Sequence, residues 1–324
     1  VPPNAFDFLG LRLPLFCAPT GSIAGPELAS AVSRAGAMGA LALTWTEPET
    51  ARQHIRQVRA ATPRPFLVNF ALAFKPVCLP VALEEGVPCV TFSWGDPAPY
   101  LAQVRAAGAC IGVQVANLAG ARRALDLGAD FLICQGMEAG GHVQSTTALE
   151  TLLPQVLAEA EAVPVVAAGG VGDGAGIARL LDKGAAGVML GTRFVATVES
   201  RAHPDYKQAL CQAQANDTAL TVCFDGGWPY AAHRVLRNST LQEWEACGCP
   251  PYAQRPGEGE VVGQTQSGEP IVRYDSTAPR LGMTGCIGKM CLHAGTGCGA
   301  IADIPSAFDL VQKLWADCEH ARKG

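Results

Sequence analysis

The stretch Asp126-Leu-Gly-Ala-Asp-Phe-Leu-Ile133 ends one helix and begins one strand within eight residues. Glycine is the usual residue just past a helix end, because it takes the left-handed backbone that closes the last turn without a Cβ penalty. The apolar run that follows reads as a strand buried on both faces. Arg105-Ala-Ala-Gly-Ala-Cys-Ile-Gly112 and Asp182-Lys-Gly-Ala-Ala-Gly-Val-Met189 repeat the same helix-glycine-strand order.

Working outward, short apolar or β-branched runs bounded by Gly and Pro predict strands at Leu13 to Ala18, Met38 to Leu43, Phe66 to Ala71 and Cys89 to Trp94. Four more follow at Cys110 to Val115, Phe131 to Gly136, Val163 to Ala168 and Gly187 to Gly191. Helical patterns such as Gly25-Pro-Glu-Leu-Ala-Ser-Ala-Val-Ser-Arg-Ala-Gly36 lie between them. A parallel sheet needs such helices as crossovers. Eight units are the count of a closed (β/α)8 TIM barrel of the α/β class, whereas a doubly wound sheet more often stops at five or six strands. After Thr192 the rhythm stops. Residues 201 to 244 read as helical with interruptions, and 246 to 280 are rich in Pro, Gly, Glu and Gln. The predicted organisation is a barrel from residues 1–200 and 281–324 with an inserted segment at 201–280, either a lid or a surface excursion. A last amphipathic helix from Ser306 to Cys318 is expected to pack Phe308, Leu310, Val311, Leu314 and Trp315 on the barrel wall.

Composition sets limits on function. Of 324 residues only 16% are charged, and 49% are apolar, so much of the chain is expected to be buried. A net charge of -5 without Lys/Arg runs argues against nucleic acid, which demands concentrated positive charge. No apolar run reaches the length of a membrane span. Val1-Pro-Pro-Asn-Ala-Phe-Asp7 lacks the basic start and apolar stretch of a signal peptide, and 13 scattered cysteines read as reduced thiols, so the expected location is the cytoplasm. Cys247-Gly-Cys249 with Cys286, Cys291 and Cys298 contains no C-x-x-C pair and only His293 nearby, so no metal is expected.

In a barrel of this kind the active site lies where the strands end. Strand six runs through Gln135-Gly-Met-Glu-Ala-Gly-Gly-His142, a glycine loop that lets the backbone approach a ligand and delivers one imidazole. Strands seven and eight leave through Ala167-Ala-Gly-Gly170 and Leu190-Gly-Thr-Arg-Phe194, whose amides can cradle a phosphate. Asn69, Gln114 and Gln135 offer donors and acceptors to a heteroaromatic ring. Each of these features alone also fits an ordinary turn or strand end; together they outline a ring-plus-phosphate cofactor. Glu138 reads as structural.

Taken together, these motifs resemble the nitronate monooxygenase family, formerly 2-nitropropane dioxygenases, over residues 13 to about 200. Lys289-Met-Cys-Leu-His-Ala-Gly-Thr-Gly-Cys-Gly-Ala-Ile301 resembles that family's closing segment. The resemblance implies bound FMN, its phosphate on Gly169, Gly170, Gly191 and Thr192 with Ala168 at the turn. It sets Asn69, Gln114 and Gln135 against the isoalloxazine with backbone near Ala18, Gly140 and Gly141, and makes His142 the catalytic base or substrate anchor. The implied reaction oxidises alkyl nitronates, or nitroalkanes deprotonated by His142, with O2 to carbonyl compounds and nitrite. Two departures, Thr20 after Pro19 and Val143-Gln144 after the histidine, are expected on the substrate side. The same pattern is shared with NAD(P)H-dependent flavin reductases of quinones and enoyl thioesters, which stand as the alternative. A third reading is a non-catalytic flavin or metabolite binder that uses residues 246 to 280 as a partner arm. Pairing into a homodimer through an exposed helix is left open.

Overall fold

Helix α5 (Leu118–Asp126) opens with the Asn117 side chain accepting from the Gly120 amide. It closes where Gly128 turns to a φ of +72° and its amide reaches Leu125 O. Gly108 and Gly184 make the same left-handed exit at φ +71° and +100°. The three repeated stretches are thus three helix ends feeding three strands. The computed structural model describes residues 5–323, so the reading of Val1 to Asn4 lies outside them.

Eight parallel strands form the barrel: β1 (Leu15–Cys17), β2 (Gly39–Ala42), β3 (Phe66–Ala71), β4 (Cys89–Ser93), β5 (Cys110–Val115), β6 (Phe131–Gln135), β7 (Val165–Ala168) and β8 (Gly187–Leu190). Each pairs with its neighbour in sequence from β2 to β8, and β8 pairs with β1. A parallel bridge between Phe16 and Met38 closes the ring. There the Met38 amide donates to Leu15 O and the Cys17 amide to Met38 O, both at 2.8 Å. The crossovers are α1 (Pro26–Arg34), α2 (Pro48–Ala61), α3 (Leu79–Glu84), α4 (Ala98–Ala106), α5, α6 (Leu149–Ala160) and α7 (Gly174–Asp182).

Alternation along each strand divides the core in two. Phe131 and Ile133 of β6 point into the barrel with Phe16, Met38, Leu67 and Met189, while Leu132 and Cys134 face the helices. Phe6 plugs the barrel floor, edge-on to Phe16 at 5.0 Å and to Phe131 at 5.6 Å. Gly112 in β5 leaves room for the Phe131 ring, which a Cβ there would strike.

Beyond β8 the chain continues through α8 (Thr192–Val195) and α9 (Pro204–Gln212) to an antiparallel hairpin, Thr218–Thr221 against His233–Leu236. This hairpin corrects the helical reading of 201 to 244. Its strands are four residues each and the inner one is wholly buried, so no polar-apolar alternation betrays it. Helix α10 (Ser239–Ala246) follows, then a small sheet of Val261–Gln264, Pro270–Val272 and Thr284–Gly285 inside the stretch read as irregular. Helix α11 (Ala307–Ala321) buries Leu310, Val311, Leu314 and Cys318. Phe308, expected on the same face, is 42% exposed: it sits one residue past Ala307, on the flank of the buried stripe. Among the described residues no helix is long and apolar enough to cross a membrane.

Removing the floor ring in Phe131→Ala should lower unfolding free energy by about 3–5 kcal/mol. Crowding it in Gly112→Ala should cost about 1–3 kcal/mol. Urea denaturation midpoints measure both, and a change under about 0.5 kcal/mol in either would contradict this account of the floor.

Candidate active site

The strands end around a cavity of about 920 Å³. Ala18, Asn69, Gln114, Gln135, Gly140, Gly141, His142, Ala168, Gly169, Gly170, Gly191 and Thr192 all line it. At one corner Gly169 and Gly170 hold φ values of +117° and +70°, conformations a side chain would strain. The amides of Gly169, Gly170, Gly191 and Thr192 have no acceptor among the described residues. All four residues are half-buried on the cavity wall, and backbone N–H groups left free along such a wall can hold an anion. None of the four is a lysine or arginine, so any anion held there would meet backbone dipoles.

Across the mouth, three amide side chains divide their atoms between protein and cavity. Asn69 donates through Nδ2 to Thr91 O and Oγ1 at 3.2 and 3.1 Å, which leaves Oδ1 as an acceptor. Gln114 Nε2 donates to Gln135 Oε1 at 3.2 Å, and the Gln144 amide reaches the same oxygen. Gln114 Oε1 and the Gln135 Nε2 hydrogens therefore remain without a protein partner among the described residues. Acceptors and donors alternate there, as the edge of a heteroaromatic ring requires.

His142 is positioned from outside the barrel. Gly141 and His142 form a two-residue strand that pairs antiparallel with Arg234 and His233 of the hairpin. The Val143 amide donates to Ala232 O at 2.8 Å, and the Arg234 guanidinium donates to Met137 O at 2.9 and 3.1 Å. Around the imidazole stand His233 and His293, each with a ring centroid 5.5 Å away. Burial, then the His293 and His233 rings, push the His142 pKa down to about 2. Its Nε2 is buried without a hydrogen-bond partner. His233 accepts from the Phe224 amide at Nε2 and donates from Nδ1 to Ala231 O, so it too is held neutral. His293 donates through Nε2 to Ser276 O, and burial brings it down to about 4.

A sequence-family model described as nitronate monooxygenase matches residues 3–79 and 75–317. The chain belongs to the nitronate monooxygenase family. A nitronate monooxygenase of Pseudomonas aeruginosa is 36% identical over 299 residues, 76% of this chain and 83% of its own length. A (3aS,4S,5R,7aS)-5-hydroxy-7a-methyl-1-oxo-octahydro-1H-indene-4-carboxyl-CoA dehydrogenase of Mycobacterium tuberculosis is 34% identical over 244 residues, 74% of this chain and 67% of its own. Among solved structures, nitroalkane oxidase from Streptomyces ansochromogenes superposes with a TM-score of 0.80 at 30% identity, covering 98% of this chain and 99% of its own. FabK from Thermotoga maritima gives 0.82 at 29%, covering 100% and 98%. Family membership makes the protein a flavin-dependent oxidoreductase.

Several residues of the site escaped the sequence. Trp45, Phe74, Trp94, Trp228 and His293 line the cavity, and so do Arg201, Arg280 and His54 further out. They leave different strands or belong to the segment after β8, and no local pattern joins them. The segment resembling the family's closing segment does reach the cavity, through His293, Gly295 and Gly297. Its Gly295 amide donates to Thr192 Oγ1 at 2.9 Å, and a Cβ on Gly140 would strike Gly295. Glu138 is turned away to accept from the Leu149 amide at 3.0 Å, capping α6. Thr20 lines the cavity with a buried, unpartnered Oγ1, whereas Val143 and Gln144 do not line it. Val143 is buried in the protein and the Gln144 Oε1 accepts from the Trp94 amide, so of these departures only Thr20 lines the cavity. Among the described residues no group of three or more His, Cys, Asp or Glu is placed to hold a metal ion.

Three histidines kept neutral in the fold have a consequence for stability. Once unfolded they regain a pKa of about 6.5 and take up protons the native state refuses, so stability falls as pH drops below that value. The loss continues down to about 4 for His293 and about 2 for His142. Urea midpoints measured from pH 7 to pH 5 should decline, and His293→Gln should flatten the decline; an equally steep slope in that variant would contradict the assignment.

Proposed function

We propose that the protein is an FMN-dependent nitronate monooxygenase that oxidises alkyl nitronates with O2 to carbonyl compounds and nitrite. The observation that carries this reading is the His142 imidazole on the cavity wall, which burial holds neutral. A neutral imidazole donates one N–H to the oxygens of a nitronate in a site where water is largely excluded, and such a donor counts for more there than in water. Burial that disfavours the imidazolium also makes His142 a reluctant proton acceptor. Preformed nitronates are therefore better substrates than neutral nitroalkanes. An anion close to the ring partly restores its basicity, which lets the same residue take a proton from a nitroalkane more slowly.

The cavity residues fit FMN. The orphan amides of Gly169, Gly170, Gly191 and Thr192 would hold its phosphate, with Ala168 at the turn. Asn69, Gln114 and Gln135 would meet the ring edge, with backbone of Ala18, Gly140 and Gly141 beside it. When bound, FMN supplies the electron acceptor that a nitronate needs and that no side chain provides. The chain's own contribution is to orient the nitronate, donate a hydrogen bond from His142 and keep the aromatic side of the cavity dry. Thirteen cysteines with no disulfide among the described residues fit a reducing compartment, which supports a cytoplasmic location.

Replacing His142 by Asn should lower kcat/KM for neutral nitroalkanes by about 10²–10⁴-fold while flavin content stays at the wild-type level. Unchanged turnover would remove His142 from the mechanism. A second reading, an NAD(P)H-dependent reductase of quinones or enoyl thioesters, is favoured by the likeness to FabK and by Arg201 and Arg280 at the cavity's outer end. Anaerobic mixing separates the two. Propyl-2-nitronate is expected to bleach the flavin absorbance faster than NADH, and the opposite order would favour the reductase.

A further inference from the structure

Beyond His142 the cavity wall is aromatic. Trp228 stacks on the imidazole with centroids 4.3 Å apart and planes 27° apart. It meets Trp94 at 4.7 Å, Phe74 at 5.0 Å and Trp45 at 5.9 Å, and Trp45 meets Phe74 at 5.2 Å. These four contacts are all steep, between 61° and 78°, so ring faces and ring edges are both presented. The residues come from the ends of β2, β3 and β4 and from the turn of the inserted hairpin. None belongs to a hydrophobic core cluster, and all four line the cavity.

Two further observations point to a ligand. Trp45 is 57% exposed at the cavity edge, an unusual position for a ring with nothing to cover. Trp94 holds a φ of +59°, the left-handed region that bulky residues avoid, and Gln144 fixes it there by accepting its amide at 3.1 Å. Strain of this kind collects where a side chain must face a ligand.

We propose that this slot binds an aryl substituent on the nitronate, so that aryl-bearing nitronates are preferred over small alkyl ones. The proposal rests on the reading above in placing the nitronate group at His142. An incoming ring finds face and edge partners at once, an arrangement in which aromatic pairs attract beyond their area, whereas a methyl or ethyl group reaches neither Trp45 nor Phe74. Trp45 is the specificity-determining residue to test, because it is the most exposed of the four rings.

In the flavin-loaded protein, kcat/KM should be compared for the anions of phenylnitromethane and nitroethane. The expected ratio favours the aryl substrate by about tenfold or more, falls towards one in Trp45→Ala and recovers in Trp45→Phe. A wild-type ratio near one, or a ratio unmoved by Trp45→Ala, overturns the proposal. Binding of phenylacetate against acetate, two unreactive carboxylates, gives a readout free of turnover. Phenylacetate should bind about tenfold tighter, and Trp45→Ala should erase the difference. If neither nitronate reacts while phenylacetate keeps this dependence on Trp45, the slot stands and the proposed reaction falls. If both nitronates react without discrimination and both carboxylates bind alike, the slot falls and the reaction stands.

Discussion

Two residues of β-ladder hold this site together. Gly141 and His142 extend from the end of β6 and pair with Arg234 and His233, contributed by a hairpin some ninety positions later in the chain. Without that pairing the loop after β6 would be a run of glycines with no preferred conformation. With it, the imidazole has a fixed backbone and a fixed set of neighbours on every side. The barrel supplies the cradle and the amide side chains; the segment after β8 supplies the direction in which His142 points.

Those neighbours decide what the imidazole can be. His233 has both ring nitrogens engaged by backbone and cannot lend or borrow a proton without breaking a buried hydrogen bond, and His293 has its Nε2 proton engaged by Ser276 O while burial keeps the ring neutral. Trp228 covers one face of His142. The result is an uncharged donor in dry surroundings, suited to meeting an anion. The closing segment adds steric definition, because Gly140, Gly170 and Gly295 approach so closely that no larger residue fits at their contacts.

How much of this was legible depended on range. The barrel strands could be read to within two residues because each is a short apolar run bounded by a glycine or proline and a polar turn, and that signal is local. The cavity-lining turns were legible for the same reason, since Gly169 to Gly170 and Gly191 to Thr192 follow directly from strand ends. The aromatic wall was not legible. Trp45, Phe74, Trp94 and Trp228 share a surface only after the barrel closes and the hairpin folds across it, and nothing in their spacing records that. The hairpin reads as helical from sequence because its strands are only four residues long and the inner one, buried throughout, carries no alternation. Phe308 was misplaced by one helical position, where periodicity leaves the margin of a buried stripe ambiguous.

The long separation between His142 and its hairpin partners has a temporal consequence. Domains emerge from the ribosome from the N-terminal end, at tens of residues within seconds. When the eighth strand has emerged, the glycine turn after β7 is already in the released chain, while the hairpin that orients the imidazole is not. The nascent chain can therefore close its barrel strands before the hairpin that orients the imidazole has been made.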